Sequence, residues 1–267
     1  MTAGIRSRRM TAALALLVTS TSTAAPPALA QAPDRSRPPA VGAPPALVLP
    51  AVERRTLQNG VPVWIVETHD VPLVQVDLVV LAGSADDPAG RYGVASMTAA
   101  MLDEGAGSRS ALELADTLEF LGANLATASG FDNSAIRLNV PVARLGDALP
   151  VMADVALRPT FPAPDLERLR QERLTALLQA RDSPDAIAQR AFTRFVFGAT
   201  HRYGTSAVGT ESSVRALTVD DLRTFHRAYY QPANAALVVT GDVRTDAVMP
   251  LLERAFGSWQ NASPAPR

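Results

Sequence analysis

Gly93 to Gly107, GVASMTAAMLDEGAG, is the stretch from which the fold of this chain is best read. Val94, Met97, Met101 and Leu102 fall close to the i, i+3, i+4, i+7 spacing of a helix buried on one side. Asp86, Asp87 and Pro88 precede it in a loop, and Gly105 and Gly107 follow where a helix C-cap is expected. Alone, the stretch predicts one short core helix, with Ser96, Ala99 and Ala100 as small residues along it.

Upstream, Arg54–Leu57 and Val61–Glu67 flank Asn59-Gly60, the strongest short hairpin signal. Val71–Leu81 is a long β-branched run of weak alternation, which predicts a central strand buried on both faces. Downstream, Ser110-x-x-Glu113 is a capping box that opens a helix to Leu121. Gly122–Ser129 has small residues throughout and reads as a strand that something else approaches closely. Ser134–Val140 sets Ala135, Arg137 and Asn139 against Ile136, Leu138 and Val140, a strand with one wet face, and the two strands turn at Gly130–Asn133.

Helices follow over 142–157, from Asp165 to about Arg181 with Pro164 in the first-turn position, and from Ser183-Pro184 through Phe197. His201–Gly209 reads as an irregular loop, and Thr218 caps a helix ending near Tyr230. Ala235–Gly241 is a last apolar strand and Thr245–Phe256 a last helix. Runs of strands alternate with runs of helices. The expected class is α+β, a two-layer sandwich with helices on one face of a mostly antiparallel sheet.

The ends read differently. Residues 1–30 carry a basic start at Arg6, Arg8 and Arg9, an apolar run over 10–18, and Ala28-Leu29-Ala30 as a cleavage site: a signal peptide, by the general secretory or the twin-arginine route. The expectation is an exported protein, periplasmic or secreted. Residues 31–51, rich in Pro and Ala, read as a linker, 52–259 as the folded domain, and 260–267 as the start of another linker. The chain has no cysteine, which excludes disulfides, thiolate zinc sites and a cysteine nucleophile, and no lysine. Of 25 basic and 26 acidic side chains, three of the basic ones lie in the signal, so the domain is mildly acidic. No basic cluster with interleaved aromatics points to nucleic acid, and no stretch after Ala30 is apolar enough to span a bilayer.

Several motifs, in order, resemble the N-terminal half of the M16 metallopeptidases, the pitrilysin, insulinase and mitochondrial-processing-peptidase family. Leu57-Gln58-Asn59-Gly60-Val61 is similar to its opening hairpin, and Tyr92-Gly93-Val94-Ala95 to the start of its zinc helix. Leu118-Glu119-Phe120-Leu121-Gly122-Ala123, the Phe197–Thr210 segment, Leu217–Tyr230 with Pro232-Ala233-Asn234, and Val238–Val243 carry the rest of the match. The resemblance implies the LuxS/MPP-like metallohydrolase fold, and zinc as the cofactor of active members.

In that family the first helix carries an inverted His-x-x-Glu-His motif, two zinc ligands and a general base. The matching positions here are Ser96, Ala99 and Ala100. Aligning Asp165-Leu166-Glu167-Arg168 with the family places the third ligand, a glutamate, at Ala176. A hydroxyl and methyl groups cannot hold zinc, so no metal, no catalytic residue and no enzymatic activity are expected of this domain. His69, His201 and His226 are not paired at helix spacing; His226 reads as a packing residue, and Asp103-Glu104 as a solvated helix end.

The resemblance implies a non-catalytic subunit that pairs with a zinc-bearing M16 subunit in a hetero-oligomer and helps enclose or bind peptides. The peptide would add as a strand along Leu125, Ala126, Thr127, Ala128 and Ser129, whose small side chains either admit it or merely pack under a helix. Two other readings stand beside it: an active zinc-dependent metalloendopeptidase with ligands elsewhere, and a non-proteolytic binding or scaffold protein.

Overall fold

The computed structural model describes residues 49–262, together with Gly42 and Ala46. The expected signal, most of the expected linker over 31–51 and the last residues of the 260–267 segment lie outside the described residues.

The strands are β1 (Glu53–Thr56), β2 (Pro62–Glu67), β3 (Leu73–Val80), the two-residue β4 (Gly105–Ala106) and β5 (Arg109–Ser110), β6 (Asn124–Ser129), β7 (Ser134–Pro141) and β8 (Ala235–Gly241). Six of them form one sheet in the order β1-β2-β8-β3-β7-β6, and β4 with β5 forms a separate ladder. Only β2 and β8 run parallel; the other neighbours in the large sheet are antiparallel. The helices are α1 (Val94–Ala100), α2 (Ala111–Leu121), α3 (Leu145–Leu157), α4 (Ala163–Gln179), α5 (Pro184–Phe197), α6 (Glu211–Ala216), α7 (Val219–Tyr229) and α8 (Thr245–Phe256). The architecture is the expected α+β class, with α1 and α3 packed on the β6–β7 side of the sheet.

The core forms where the period of the strands meets the period of the helices. Along β3, Val74, Val76, Leu78 and Val80 are fully buried, each worth roughly 1.5–3 kcal/mol of transfer free energy. They meet Val63 and Ile65 of β2, Leu237 and Val239 of β8, and Ile136, Leu138 and Val140 of β7. Met97, Met101 and Leu102 close the layer from α1 and the turn after it.

The expectation that β3 is buried on both faces is corrected. Its other face holds a polar row, in which Arg137 Nε donates to Asp77 Oδ1 at 2.7 Å and Gln75 Nε2 to Asp77 Oδ2 at 2.7 Å. Val71, Leu73 and Leu81 made the run look continuous, yet they are exposed. They belong to the strand ends and the open face, where apolar side chains are tolerated singly.

α1 is also shorter than the sequence suggests. It ends at Ala100, and Gly105 and Gly107 are not its C-cap. Gly105 instead pairs in the β4–β5 ladder, and Gly107 sits at φ +60 with Asp154 Oδ2 only 2.9 Å from where a Cβ would lie. These glycines admit a tight turn against α3, which a side chain would block. α6 is a further difference, a helix inside the stretch before Thr218. Thr210 caps it by accepting from Ser213 N at 3.2 Å.

The expected helix boundaries hold elsewhere. Ser110 and Glu113 form the predicted capping box of α2, and Thr218 with Asp221 caps α7 in the same way. Pro164 lies in the first turn of α4, and Ser183 caps α5.

Candidate functional site

The N-terminus of α1 is fixed by a buried carboxylate. Asp87 is wholly inaccessible at its side chain and accepts from the backbone N–H of Gly93 at 2.6 Å and of Ala95 at 2.9 Å. Arg202 reaches it from the 201–209 loop, Nη2 to Oδ2 at 3.0 Å, with its guanidinium 4.0 Å from the centre of the Tyr92 ring. Burial pushes the Asp87 carboxyl up to about 6, against the lowering effect of the two N–H donors and of Arg202. Gly93 itself has φ +95, and a Cβ there would meet Val208 O at 2.5 Å. Loop and helix start are therefore locked together where the resemblance places the metal helix.

Ser96 and Ala100, four residues apart on α1, are half-buried and share one face, whereas Ala99 is 1% exposed and turned into the core. Ser96 Oγ donates to Gly93 O at 3.1 Å within the helix. From α4, Arg173 Nη1 donates to that same Ser96 Oγ at 2.9 Å, with longer contacts of 3.4 Å to the carbonyls of Gly93 and Ser96. This contact brings α4 against α1, and Ala176, one turn beyond Arg173, is exposed on α4. The four expected positions thus lie on two helices that meet here. Their donor set, one hydroxyl and three methyl groups, does not fit zinc. A guanidinium reaches into the place instead.

Arg173 went unnoticed in the sequence. Its signal was register: with Leu166, Leu169 and Leu177 it continues the inward face of α4, where an apolar residue is expected. Burial lowers its pKa from the ordinary guanidinium value, opposed by the charge of Asp87. Among the described residues no carboxylate forms an ion pair with it.

The three histidines stay apart. His69 Nδ1 lies 2.7 Å from Asp242, His201 joins an aromatic cluster with Phe197 and Tyr203, and His226 Nε2 is 2.8 Å from Ala156 O and stacks on Tyr230. Burial lowers the His226 pKa, as suits a neutral packing residue. Asp103 and Glu104 are not a solvated helix end. Glu104 pairs with Arg168 of α4 at 2.5 Å, and burial raises the Asp103 carboxyl. Among the described residues no group of three or more His, Asp or Glu side chains could hold a metal ion.

Among the described residues β6 is the last strand of the sheet and pairs on one side only, with β7, from Asn124 opposite Asn139 to Ser129 opposite Ser134. Ala126 and Ala128 are exposed, and Leu125, Thr127 and Ser129 are half-buried. The five residues expected to form a peptide-binding edge do lie on a sheet edge, and α1 packs beside it.

Residues 63–206 match the family model described as insulinase (peptidase family M16), and residues 216–267 match that of the peptidase M16 inactive domain. The chain belongs to the M16 family. It is 24% identical over 209 residues to an uncharacterized zinc protease, YmxG, of Bacillus subtilis, covering 78% of this chain and 51% of that one. It is 25% identical over 199 residues to a protein of Helicobacter pylori called non-peptidase homolog YmxG, covering 74% of this chain and 46% of that one. The crystal structure of a peptidase M16 inactive domain from Pseudomonas fluorescens superposes with a TM-score of 0.76 at 26% identity, over 81% of this chain and 52% of that one. This M16 chain spans about half the length of the curated relatives it matches. Among its described residues no helix is long and apolar enough to cross a membrane.

Proposed function

We infer that this protein is a non-catalytic M16 subunit, which pairs with a zinc-bearing M16 chain and offers the β6 edge to peptides in the space between them. One observation carries the reading: Ser96, Ala99, Ala100 and Ala176 supply no zinc ligand, and Arg173 stands against Ser96 where a cation-binding group would be needed. The domain then holds no zinc and cleaves no peptide alone. Strand addition needs little from side chains, because main-chain N–H and C=O groups supply the bonds, and a bare edge lined by Ala126 and Ala128 suits it. The basic start, apolar run and small-residue cleavage site of residues 1–30 support export of this subunit.

Pairing is supported by α5. None of its residues is buried, and Ile187, Phe192, Phe195 and Val196 are exposed, with Phe195 at 91%. Monomeric proteins rarely leave several large apolar side chains of one helix this bare. We assign it to the zinc-bearing partner of the proposed pair. Phe195→Asp is expected to weaken association with that partner at least tenfold, as large exposed aromatics anchor interfaces. Its melting temperature should stay within about 1 °C of wild type, because surface changes cost little. Co-purification and thermal melts measure both; unchanged association would remove α5 from the interface.

The deciding experiment is zinc analysis and a peptide-cleavage assay on the protein alone and after mixing with an M16 chain that bears His-x-x-Glu-His. The expected result is zinc and cleavage only in the mixture, one zinc per pair. Stoichiometric zinc with cleavage by this chain alone would overturn the reading.

A further inference from the structure

We propose that Arg173 turns the degenerate metal position into a carboxylate site, which captures the C-terminal carboxylate of a peptide lying along β6. The inference rests on the peptide-binding reading above.

Arg173 is half-buried, and its partners are all neutral: Ser96 Oγ at 2.9 Å, and the carbonyls of Gly93 and Ser96 at 3.4 Å. The acid whose field it feels, Asp87, is already engaged by Gly93 N–H, Ala95 N–H and Arg202. A desolvated cation held only by dipoles retains its demand for an anion.

The hydrogen-bond inventory then selects the anion. A guanidinium has five N–H donors. Nη1 serves Ser96 Oγ and Gly93 O, and Nη2 serves Ser96 O with one of its two hydrogens. Nε–H and the second Nη2–H are left, the side-on pair of the planar group. Their parallel geometry matches the two oxygens of a carboxylate.

Placement selects whose carboxylate it is. Arg173 is anchored on α1, α1 packs beside β6, and the open positions next to it on α1 and α4 carry small side chains, half-buried Ala100 and exposed Ala176. A peptide added to the β6 edge brings neutral main chain along its length and one negative charge at its C-terminal end. Backbone pairing along the strand with capture of that end is a known way of reading peptides. The site therefore favours peptides that terminate beside α1 over those that run past it.

The test uses the full chain and a fluorescein-labelled peptide of Ala, Thr and Ser, about eight residues long, enough for one strand. It is prepared with a free and with an amidated C-terminus, and binding is followed by anisotropy. Wild type is expected to bind the free acid at least tenfold more tightly than the amide. Arg173→Met should bring the acid down to the level of the amide and leave the amide unchanged. Arg173→Lys, which keeps the charge and the tie to Ser96 but loses the fork, should show intermediate discrimination. Equal binding of acid and amide by wild type, or discrimination that survives Arg173→Met, would overturn the carboxylate site and leave peptide binding standing. If neither peptide binds, both readings fall.

Discussion

Replacing Asp87 by alanine is expected to destabilise the folded domain by about 3 kcal/mol at pH 7, the low end of what removing one partner of a buried pair costs. Two N–H groups at the start of α1 lose their acceptor, and Arg202 loses its carboxylate while keeping Ser84 O and the Tyr92 face. For a domain of this size that corresponds to roughly 10 °C in melting temperature. The effect should also depend on pH in a definite direction. The folded carboxyl sits at about 6, above its ordinary 3.8, so between those values the native state keeps a proton that the unfolded chain releases. Stability from Asp87 is then greatest below its unfolded value and is lost as pH rises through 6. The gap between wild type and Asp87→Ala should widen by about 1 kcal/mol from pH 7 to pH 5. His226 works the other way, its folded pKa being lowered, so its contribution is lost as pH falls below 6.5. It is present in both proteins and cancels in the difference. Urea titrations of the two proteins at pH 5 and 7 read the gap, and a gap that narrows in acid would show that the N–H donors and Arg202 outweigh burial.

Asp87 also illustrates where sequence reading reached its limit. The loop Asp86-Asp87-Pro88 was legible as a loop before a helix, but not which carboxylate turns inward, since that depends on Arg202, 115 residues away. Local chemistry was readable wherever both partners lie within one turn. The Ser110–Glu113 and Thr218–Asp221 boxes and the Asn59-Gly60 hairpin are of that kind. α6 escaped because six residues make fewer than two turns, too few for a periodic pattern to declare itself. The edge position of β6 is a property of sheet order, with β8 returning between β2 and β3; the small residues of 122–129 agreed with a close approach, but equally with packing under a helix.

The candidate site shows the same division. That Ser96, Ala99, Ala100 and Ala176 leave the metal without ligands follows from residue identity and was legible. That α1 and α4 meet at this point, and that an arginine joins them, is tertiary. An alanine read from sequence says only what is missing; Arg173 says what took its place. The difference has a measurable consequence.

Restoring the three ligands by Ser96→His, Ala100→His and Ala176→Glu is expected to give weak zinc binding, and adding Arg173→Leu to strengthen it by a large factor. The two histidine positions share one half-exposed face of α1, and Ala176 is exposed on α4, so the new side chains meet no packed core. Ala99 is left alone, because at 1% exposure a glutamate there would be buried. The obstacle is charge. A guanidinium about 5 Å from a divalent ion opposes it by about 7 kcal/mol at an effective dielectric of 20. Even if relaxation and solvent remove most of that, about 2 kcal/mol remains, more than a tenfold loss of affinity. Leucine at 173 removes the charge and continues the apolar register of Leu166 and Leu177. Competition with a chromophoric chelator measures the affinities, and the zinc-dependent rise in melting temperature gives an independent reading, since a ligand bound only by the folded state stabilises it. Equal affinity with and without Arg173 would mean that the guanidinium stands clear of the ligand positions, and the carboxylate site inferred from it would lose its basis.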